Sequence, residues 1–335
     1  MGAGLSCGLI RLLLIPLLVT AALLCAGCGY VGDPLPPLAN VPGHITDLAA
    51  IQRGGRLIVH FTPPTQTTEG SAIKTPLKLD LRIGTAMAQF RAEDWAAAAR
   101  AIPAAPVKNG LAEYEVPVED WVGKDVTLGA RAVGSNRKDS GWSNFVNLVI
   151  VAPPAAPADV KPEPTANGVR LTWQGGPGNY RVFRRADEEK AYAPAASVTA
   201  PEWVDAQAEF GKTYHYVVQR TVPAGAGVAE SDLSAEVTIK PVDTFPPAAP
   251  AGMRTIAAAG SVELTWERNM EPDLAGYRVY RSTGDGAFEK LDDVQVPAYS
   301  DRKVEAGKSY RYEISAVDQA GNEGARSATV TVRVE

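Results

Sequence analysis

Hydrophobic and polar positions alternate with a period of two along most of this chain. Residues 77–83 run Leu-Lys-Leu-Asp-Leu-Arg-Ile, and residues 277–281 run Tyr-Arg-Val-Tyr-Arg. Successive side chains of a β-strand point to opposite faces, so this alternation predicts strands with one buried face. The alternating segments are rich in Val, Tyr and Trp, and they end at Gly, Pro or Asp, which favour turns. The pattern therefore predicts an all-β chain.

A second pattern is an internal repeat. The sequence Pro-Pro-Ala-Ala-Pro occurs at 153–157 and again at 246–250. Matching strands follow each copy: 169–173 with 262–266, 180–184 with 277–281, and 211–216 with 307–312. A repeat of roughly 90 residues has the size of a β-sandwich domain and is too long for a solenoid unit. The repeat predicts two domains, at 155–242 and 246–335.

The repeated strands resemble those of bacterial fibronectin type III domains. The resemblance is carried by a tryptophan in the second strand, a Tyr-x-Val-x-Arg strand, a Tyr-x-Tyr segment and the loop segment 316–323. It implies tandem immunoglobulin-like β-sandwiches in which Trp173 and Trp266 fill the cores. It also implies that Tyr214 and Tyr310 close a corner through a hydrogen bond between the hydroxyl and the preceding turn.

Residues 43–152 match the same pattern less closely. Phe61 stands where the core tryptophan belongs, and Val126 stands in place of the corner tyrosine. Residues 92–101 are rich in alanine, which has the highest helix propensity; acidic residues open the segment and Pro103 follows it. We expect a divergent domain of the same type with a short helical insert. In the second domain we expect residues 223–230, mostly Ala and Gly, to form a loop.

The first 27 residues predict a secretory leader. Arg11 precedes an apolar run at 12–24, and small residues follow, which is the order of a signal peptide. A helix over that run would span about 20 Å, short of the roughly 30 Å hydrocarbon core. The ending Ala-Gly-Cys resembles the lipobox of bacterial lipoproteins, although Cys25 stands where leucine is usual. This resemblance implies cleavage between Gly27 and Cys28 and acylation of Cys28.

The segment 28–42 is predicted to be a tether between the membrane and the first domain. It contains four prolines, which favour an extended polyproline II spacer. Gly29 replaces the aspartate that retains many lipoproteins at the inner membrane. In a cell with two membranes, the resemblance therefore favours the outer membrane, with the protein facing either the periplasm or the surface.

Composition and charge narrow the classes of partner. The net charge is −5 and no basic stripe stands out, so we expect no nucleic acid partner. The apolar content of 45%, with 26 prolines and 31 glycines, is ordinary for a folded β protein rich in turns. All three cysteines lie in or directly after the leader, so the mature domains are expected to form no disulfide.

The chain contains no sequence motif of a familiar catalytic or cofactor site. Metalloprotease, nucleophile-elbow, Walker and dinucleotide patterns are missing from the sequence, and His44, His60 and His215 are expected at the surface. We therefore predict no catalytic residue, no cofactor and no enzyme. Asp318 and Asn322, with Glu323, could offer oxygens to calcium, but turn chemistry explains the same residues. No metal site is predicted, and calcium binding by the 318–323 loop stays open.

Three tryptophans of the first domain have no counterpart in the two repeats. Trp95, Trp121 and Trp142 either fill the helix-bearing domain or form a platform for sugar rings or a protein partner. With Arg137 in a loop beside Trp142, they form the candidate interaction surface. We expect a non-catalytic, lipid-anchored protein of the cell envelope that binds or scaffolds an unknown envelope protein, or mediates adhesion. The alternative is a carbohydrate-binding accessory lipoprotein of a polysaccharide-processing system.

Overall fold

The computed structural model describes residues 40–258 and 260–335, which form three β-sandwiches in chain order. The predicted signal peptide, Gly27, Cys28 and most of the predicted tether lie outside the described residues. Within the described ranges, no helix has both the length and the apolar character that a membrane span requires. The fold is all-β, as the alternation predicts, apart from one short α-helix and one 3₁₀ turn at Glu119–Trp121 among the described residues.

The first sandwich packs two sheets face to face. Its strands are β1 (Ala49–Arg53), β2 (Arg56–Phe61), β3 (Lys78–Thr85), β4 (Arg100–Ile102), β5 (Val107–Lys108), β6 (Leu111–Pro117), β7 (Asp125–Val133) and β8 (Val146–Val149). One sheet has the order β1-β2-β6-β5 and the other β4-β3-β7-β8. Leu57, Phe61, Leu81 and Leu128, all with no exposed surface, lie in the core between them.

The helical insert of the first sandwich is shorter than its sequence predicts. Helix α1 spans Ala92–Ala98, with Glu93 and Asp94 in its first turn, where carboxylates favour the positive end of the helix dipole. Arg100 and Ala101, which the alanine-rich pattern assigned to the helix, instead pair with β3 as part of β4. Sheet pairing with Ile83 and Arg82 therefore overrides the local helix propensity.

The second and third sandwiches share the fibronectin type III-like arrangement of a three-stranded sheet packed on a larger one. The second contains β9 (Ala158–Thr165), β10 (Gly168–Gln174), β11 (Asn179–Ala186), β12 (Ala193–Val198), β13 (Glu202–Asp205), β14 (Tyr214–Ala224), β15 (Gly227–Leu233) and β16 (Val237–Ile239). The third contains β17 (Arg254–Ala258), β18 (Ser261–Thr265), β19 (Leu274–Thr283), β20 (Glu289–Val294), β21 (Ala298–Asp301), β22 (Ser309–Asp318) and β23 (Val330–Arg333).

The two repeats place equivalent strands in equivalent sheets. Their small sheets have the orders β13-β10-β9 and β17-β18-β21. In the third sandwich the larger sheet has the order β20-β19-β22-β23, while in the second β15 and β16 both pair with β14. The register also agrees, because Val169 pairs with Asp205 and the equivalent Val262 pairs with Asp301, both in antiparallel ladders.

A β-hairpin replaces the loop expected at residues 223–230. Strands β14 and β15 pair from Gln219↔Leu233 to Ala224↔Gly227, so the Ala- and Gly-rich segment is the tip of this hairpin. Strand β15 also pairs in parallel with β1 at Arg53↔Glu230. The first and second sandwiches, which the sequence predicts as separate domains at 43–152 and 155–242, therefore share one continuous sheet.

Candidate functional site

The predicted core tryptophans lie inside the second and third sandwiches. Trp173 and Trp266 are each 6% exposed. Each packs edge-to-face with a tyrosine ring. The ring centroids are 5.3 Å apart for Trp173 and Tyr180, and 5.2 Å apart for Trp266 and Tyr277. Such edge-to-face pairs add stabilisation to the area that they bury. The structure places both indoles in packing positions and offers neither to a ligand.

Tyr214 and Tyr310 lie at equivalent corners. The Tyr214 hydroxyl accepts a hydrogen bond of 3.1 Å from the backbone N–H of Glu209. The Tyr310 hydroxyl accepts one of 2.9 Å from the N–H of Glu305. Both side chains are buried, and a buried hydroxyl needs such a partner to offset its lost hydration. This is the corner geometry that the resemblance implies.

A buried aspartate in each repeat binds an arginine and a tyrosine. Asp205 accepts hydrogen bonds from the guanidinium of Arg184, the shorter at 2.8 Å, and from the hydroxyl of Tyr216 at 2.8 Å. In the third sandwich, the equivalent set is Asp301, Arg281 and Tyr312, with both bonds again 2.8 Å long. Burial and then the hydrogen bond to the carboxylate raise the pKa of both tyrosines far above its ordinary value.

These two sets stabilise their domains and do not form reactive sites. Tyr216 and Tyr312 remain protonated and donate, while each carboxylate also accepts from its arginine and from the backbone N–H two residues further along the chain. The sequence contained a signal for them, because Arg, Asp and Tyr recur at equivalent positions of both repeats. The recurrence identifies the residues, but it does not indicate which of them form hydrogen bonds with one another.

The first sandwich carries a third layer outside its β4-β3-β7-β8 sheet. Gly84 on β3 and Gly129 on β7 face this layer. A Cβ atom at residue 84 would lie 2.9 Å from Nε1 of Trp95, and one at residue 129 would lie 2.6 Å from the ring of Phe145. The two glycines thus form a depression on the sheet that accepts the aromatic side chains.

Trp95 is buried in this layer, which agrees with the packing alternative and removes Trp95 from the candidate interaction surface. Its side chain is 1% exposed, and its ring stands edge-on to Trp142 at 5.5 Å and to Phe145 at 5.2 Å. A ring enclosed in this way cannot stack on a sugar or a partner. Trp95 instead fixes helix α1 to the outer face of the sheet.

Three aromatic residues close to Trp95 do reach the surface. Phe90 is 43% exposed and packs on Phe145 with centroids 4.6 Å apart. Trp142 is half-buried; its centroid lies 4.5 Å from the Arg131 guanidinium, and its Nε1 donates to Glu93 at 3.2 Å. We call Phe90, Trp142 and Phe145 the aromatic patch.

Trp121 and Arg137 lie apart from the aromatic patch. Trp121 is half-buried against the first core, with the Arg100 guanidinium 5.1 Å from its ring centroid. Arg137 is exposed in a turn with φ of 66°, the left-handed region. In the part of the chain that the structure describes, no ring or cation–π contact links either residue to Trp142. Of the four predicted surface residues, only Trp95 and Trp142 are in contact.

The position of Trp142 can be compared across all three sandwiches. In each sandwich the next residue is a serine. Its hydroxyl accepts a hydrogen bond from a strand N–H and donates one to the carbonyl of the residue that follows it. These serines are Ser143, Ser234 and Ser327. The residue before the serine is Trp142, Leu233 or Arg326. An aromatic side chain therefore occupies this equivalent place in the first sandwich alone.

His215 is the most enclosed of the three histidines, although it was expected to face solvent. Its side chain is 12% exposed, with Nε2 2.6 Å from Asp187 and Nδ1 3.0 Å from Glu236. Both carboxylates are much more exposed than the ring. The arrangement is a surface hydrogen-bond network on the second sandwich, while His60 is exposed in agreement with its strand pattern.

The carboxylates that come together in the third sandwich differ from those the sequence grouped. Asp318 accepts from the side chain of Asn322 at 2.8 Å, but Glu323 binds Tyr280 and Arg278 instead. Carboxylate oxygens of Asp243 and Asp273 lie within 4.8 Å of one on Asp318. These oxygens are of the kind that calcium prefers, yet they supply only half of its usual six to eight ligands.

No protein-family model matches the chain. Exoglucanase B of Cellulomonas fimi is 30% identical over 194 residues, which are 53% of this chain and 17% of that protein. Chitinase A1 of Niallia circulans is 34% identical over 105 residues, 31% of this chain and 14% of that protein. An amylopullulanase of Thermoanaerobacterium saccharolyticum is 34% identical over 87 residues, 25% of this chain and 7% of that protein. The chain thus corresponds to less than a fifth of each relative.

Among solved structures, the chain is similar to the FN1–FN3 domains of chicken CNTN1. The alignment covers 88% of this chain and 100% of that one, at 15% sequence identity and a TM-score of 0.29.

Proposed function

We propose that this protein is a non-catalytic binding or scaffolding component of the cell envelope, held by a lipid on Cys28, that contacts an envelope protein through the aromatic patch. The observation that carries the proposal is the exposure of Phe90 at 43% beside Trp142 and Phe145. Aromatic residues at a surface are enriched where proteins bind partners. The two repeats, in contrast, use their aromatic residues mainly in cores and corners.

The local geometry also supports binding at this patch. Trp95 and the two glycines below the layer hold the rings in place, so little side-chain freedom is lost when a partner binds. Arg131 and Glu93 bring opposite charges to the margin of Trp142. An apolar centre with a charged margin is the usual composition of a protein-binding surface.

The experiment is site-specific photo-crosslinking in native envelopes. A photoreactive residue at position 90 is compared with one at position 256, because Ile256 is an apolar residue 70% exposed on the third sandwich. We expect a discrete crosslinked product from position 90 alone. With the captured protein purified, Phe90→Ala should weaken its binding at least tenfold, whereas Ile256→Ala should not. Equal products from both positions, or unchanged binding by Phe90→Ala, would contradict the proposal.

Polysaccharide binding is a second candidate, favoured by the names of the relatives. Exoglucanase B, the amylopullulanase and chitinase A1 are named for action on glucans or chitin, and this chain matches only small parts of them. An accessory module could bind such a polymer through aromatic rings. Affinity electrophoresis in gels that contain soluble glucan or glycol chitin tests this idea. Retardation that Phe90→Ala abolishes would favour it over a protein partner.

A further inference from the structure

Two hairpins cross the boundary between the first and second sandwiches in opposite directions. The turn between β1 and β2 reaches strand β15, where the Gly54 N–H donates a hydrogen bond of 2.8 Å to the Glu230 carbonyl. The tip of the β14–β15 hairpin reaches back to β8, where Gly225 meets Val149. Each domain therefore contacts the other through one of its own turns.

Both turns depend on glycine at the point of contact. Gly54 has a φ of 54° and Gly225 a φ of 61°, the left-handed region that favours glycine. A Cβ atom at residue 54 would lie 2.4 Å from Asp232, and one at residue 225 would lie 2.5 Å from the Val149 side chain. The two turns are thus shaped for close approach between the domains.

Glu230 lies at the centre of this contact. Its side chain is only 6% exposed, and its Oε2 accepts from Arg53 of the first sandwich at 2.8 Å. Within the second sandwich, Oε1 accepts from Arg181 at 2.7 Å and Oε2 from Gln219 at 3.2 Å. Charge-assisted hydrogen bonds of this kind are stronger than neutral ones, more so where water is largely excluded.

A second ion pair and two hydrogen bonds made by one side chain lie beside the Arg53–Glu230 ion pair. Arg56 lies 3.1 Å from Asp232, again across the domain boundary. Gln52 binds both the N–H and the carbonyl of Val151, at 3.0 and 2.8 Å, where the chain leaves the first sandwich. The linker between the two domains is therefore fixed at its start as well as at the hairpins.

We propose that these contacts form an interdomain clasp, centred on Glu230, that holds the first two sandwiches in one relative orientation and whose two segments open together. The clasp consists of residues 53–56 and 224–232. Its consequence is that a partner bound to the aromatic patch is presented at a fixed angle to the second sandwich. This inference does not depend on the identity of that partner.

Hydrogen exchange of the full chain, read by mass spectrometry, tests the clasp. The informative variant is Arg53→Met, because it removes the cross-domain charge while Arg181 and Gln219 still satisfy the buried carboxylate. Glu230→Gln is the second variant and weakens the same contact from the other domain. Glu202→Gln is the matched control, since Glu202 pairs with Arg170 on an exposed part of the second sandwich.

Segments 53–56 and 224–232 should exchange at least about tenfold faster, and together, in both clasp variants, with protection of the β10 and β14 cores unchanged. In the control variant, both segments should exchange at the rates of the natural protein. Unchanged exchange in Arg53→Met and Glu230→Gln would overturn the clasp. Faster exchange confined to the second sandwich would also overturn it, because a purely local defect would not reach residues 53–56.

Discussion

Tyr312 donates a hydrogen bond of 2.8 Å from its hydroxyl to Oδ2 of Asp301 inside the third sandwich. The same carboxylate oxygen accepts from Arg281, so a single buried acid joins strands β19, β21 and β22. Because β21 belongs to one sheet and β19 and β22 to the other, this contact ties the two layers of the sandwich together.

Asp301→Asn should destabilise the third sandwich by about 3 kcal/mol, since it leaves a partly buried guanidinium without its charged partner. The indole N–H resonance of Trp266, the one tryptophan in residues 246–335, reports unfolding of this domain in a urea titration. Asp205→Asn is the matched variant and should destabilise the second sandwich instead. Asp292→Asn, at an exposed position, should change neither domain. Equal effects of Asp301→Asn and Asp292→Asn would contradict this role.

The repeat allowed sequence reasoning to place many buried residues of the last two sandwiches. Trp173, Trp266, Tyr214 and Tyr310 occupy matching buried positions in or directly after alternating segments, and alternation fixes which face a side chain takes. The partners of Asp205 were harder to find. Arg184 precedes Asp205 by 21 residues and meets it across the two sheets, a distance in space that alternation does not encode.

The first sandwich was less predictable because its unusual features arise from contacts between distant segments. Trp95 is buried only because Gly84 and Gly129 leave room on the outer face of the sheet. Neither glycine stands out in sequence from the turn glycines elsewhere. The 223–230 segment likewise has the composition of a loop, yet pairing with the rest of β14 and contact with the first domain make it a hairpin.

Trp266→Ala should destabilise the third sandwich by about 3–5 kcal/mol, because it deletes a large core side chain and leaves a cavity beside Tyr277. Urea unfolding followed by the amide resonances of β19 and β22 measures the loss. Ile256→Ala, on the exposed face of the same domain, should cost under about 0.5 kcal/mol. A Trp266→Ala domain as stable as the Ile256→Ala domain would exclude a core role for Trp266.

Cys28→Ser should release the protein from the membrane fraction. The small residues Ala26 and Gly27 before Cys28 predict cleavage and acylation there, and more than one acyl chain gives stable anchoring. Intact-mass measurement should show that the natural protein carries lipid and that the variant does not. A matched Cys25→Ser variant should remain lipidated and bound. Membrane binding and mass that are the same for Cys28→Ser and the natural protein would refute the anchor.

Glu323 should make the stability of the third sandwich sensitive to acid. Burial by itself raises the pKa of this carboxyl, but hydrogen bonds from Ser315, Tyr280 and Arg278 outweigh it and hold the pKa at about 2. The unfolded chain binds the proton at its ordinary pKa of 4.5. The stabilisation is therefore complete above about pH 5 and is lost as the pH falls from there toward 2.

Glu323→Gln should accordingly lower the stability of the third sandwich at pH 7 and flatten its decline in acid. Between pH 4.5 and 2, the slope of the free energy of unfolding against pH should decrease by an amount that corresponds to at most about one bound proton. Screening will reduce this change, because the side chain is 30% exposed. Urea titrations at several pH values, followed by the Trp266 resonance, measure the slope. Glu289→Gln is the matched control on an exposed strand position and should leave the slope unchanged. If Glu323→Gln and Glu289→Gln gave parallel curves, the hydrogen bonds to Glu323 would not favour its charged form.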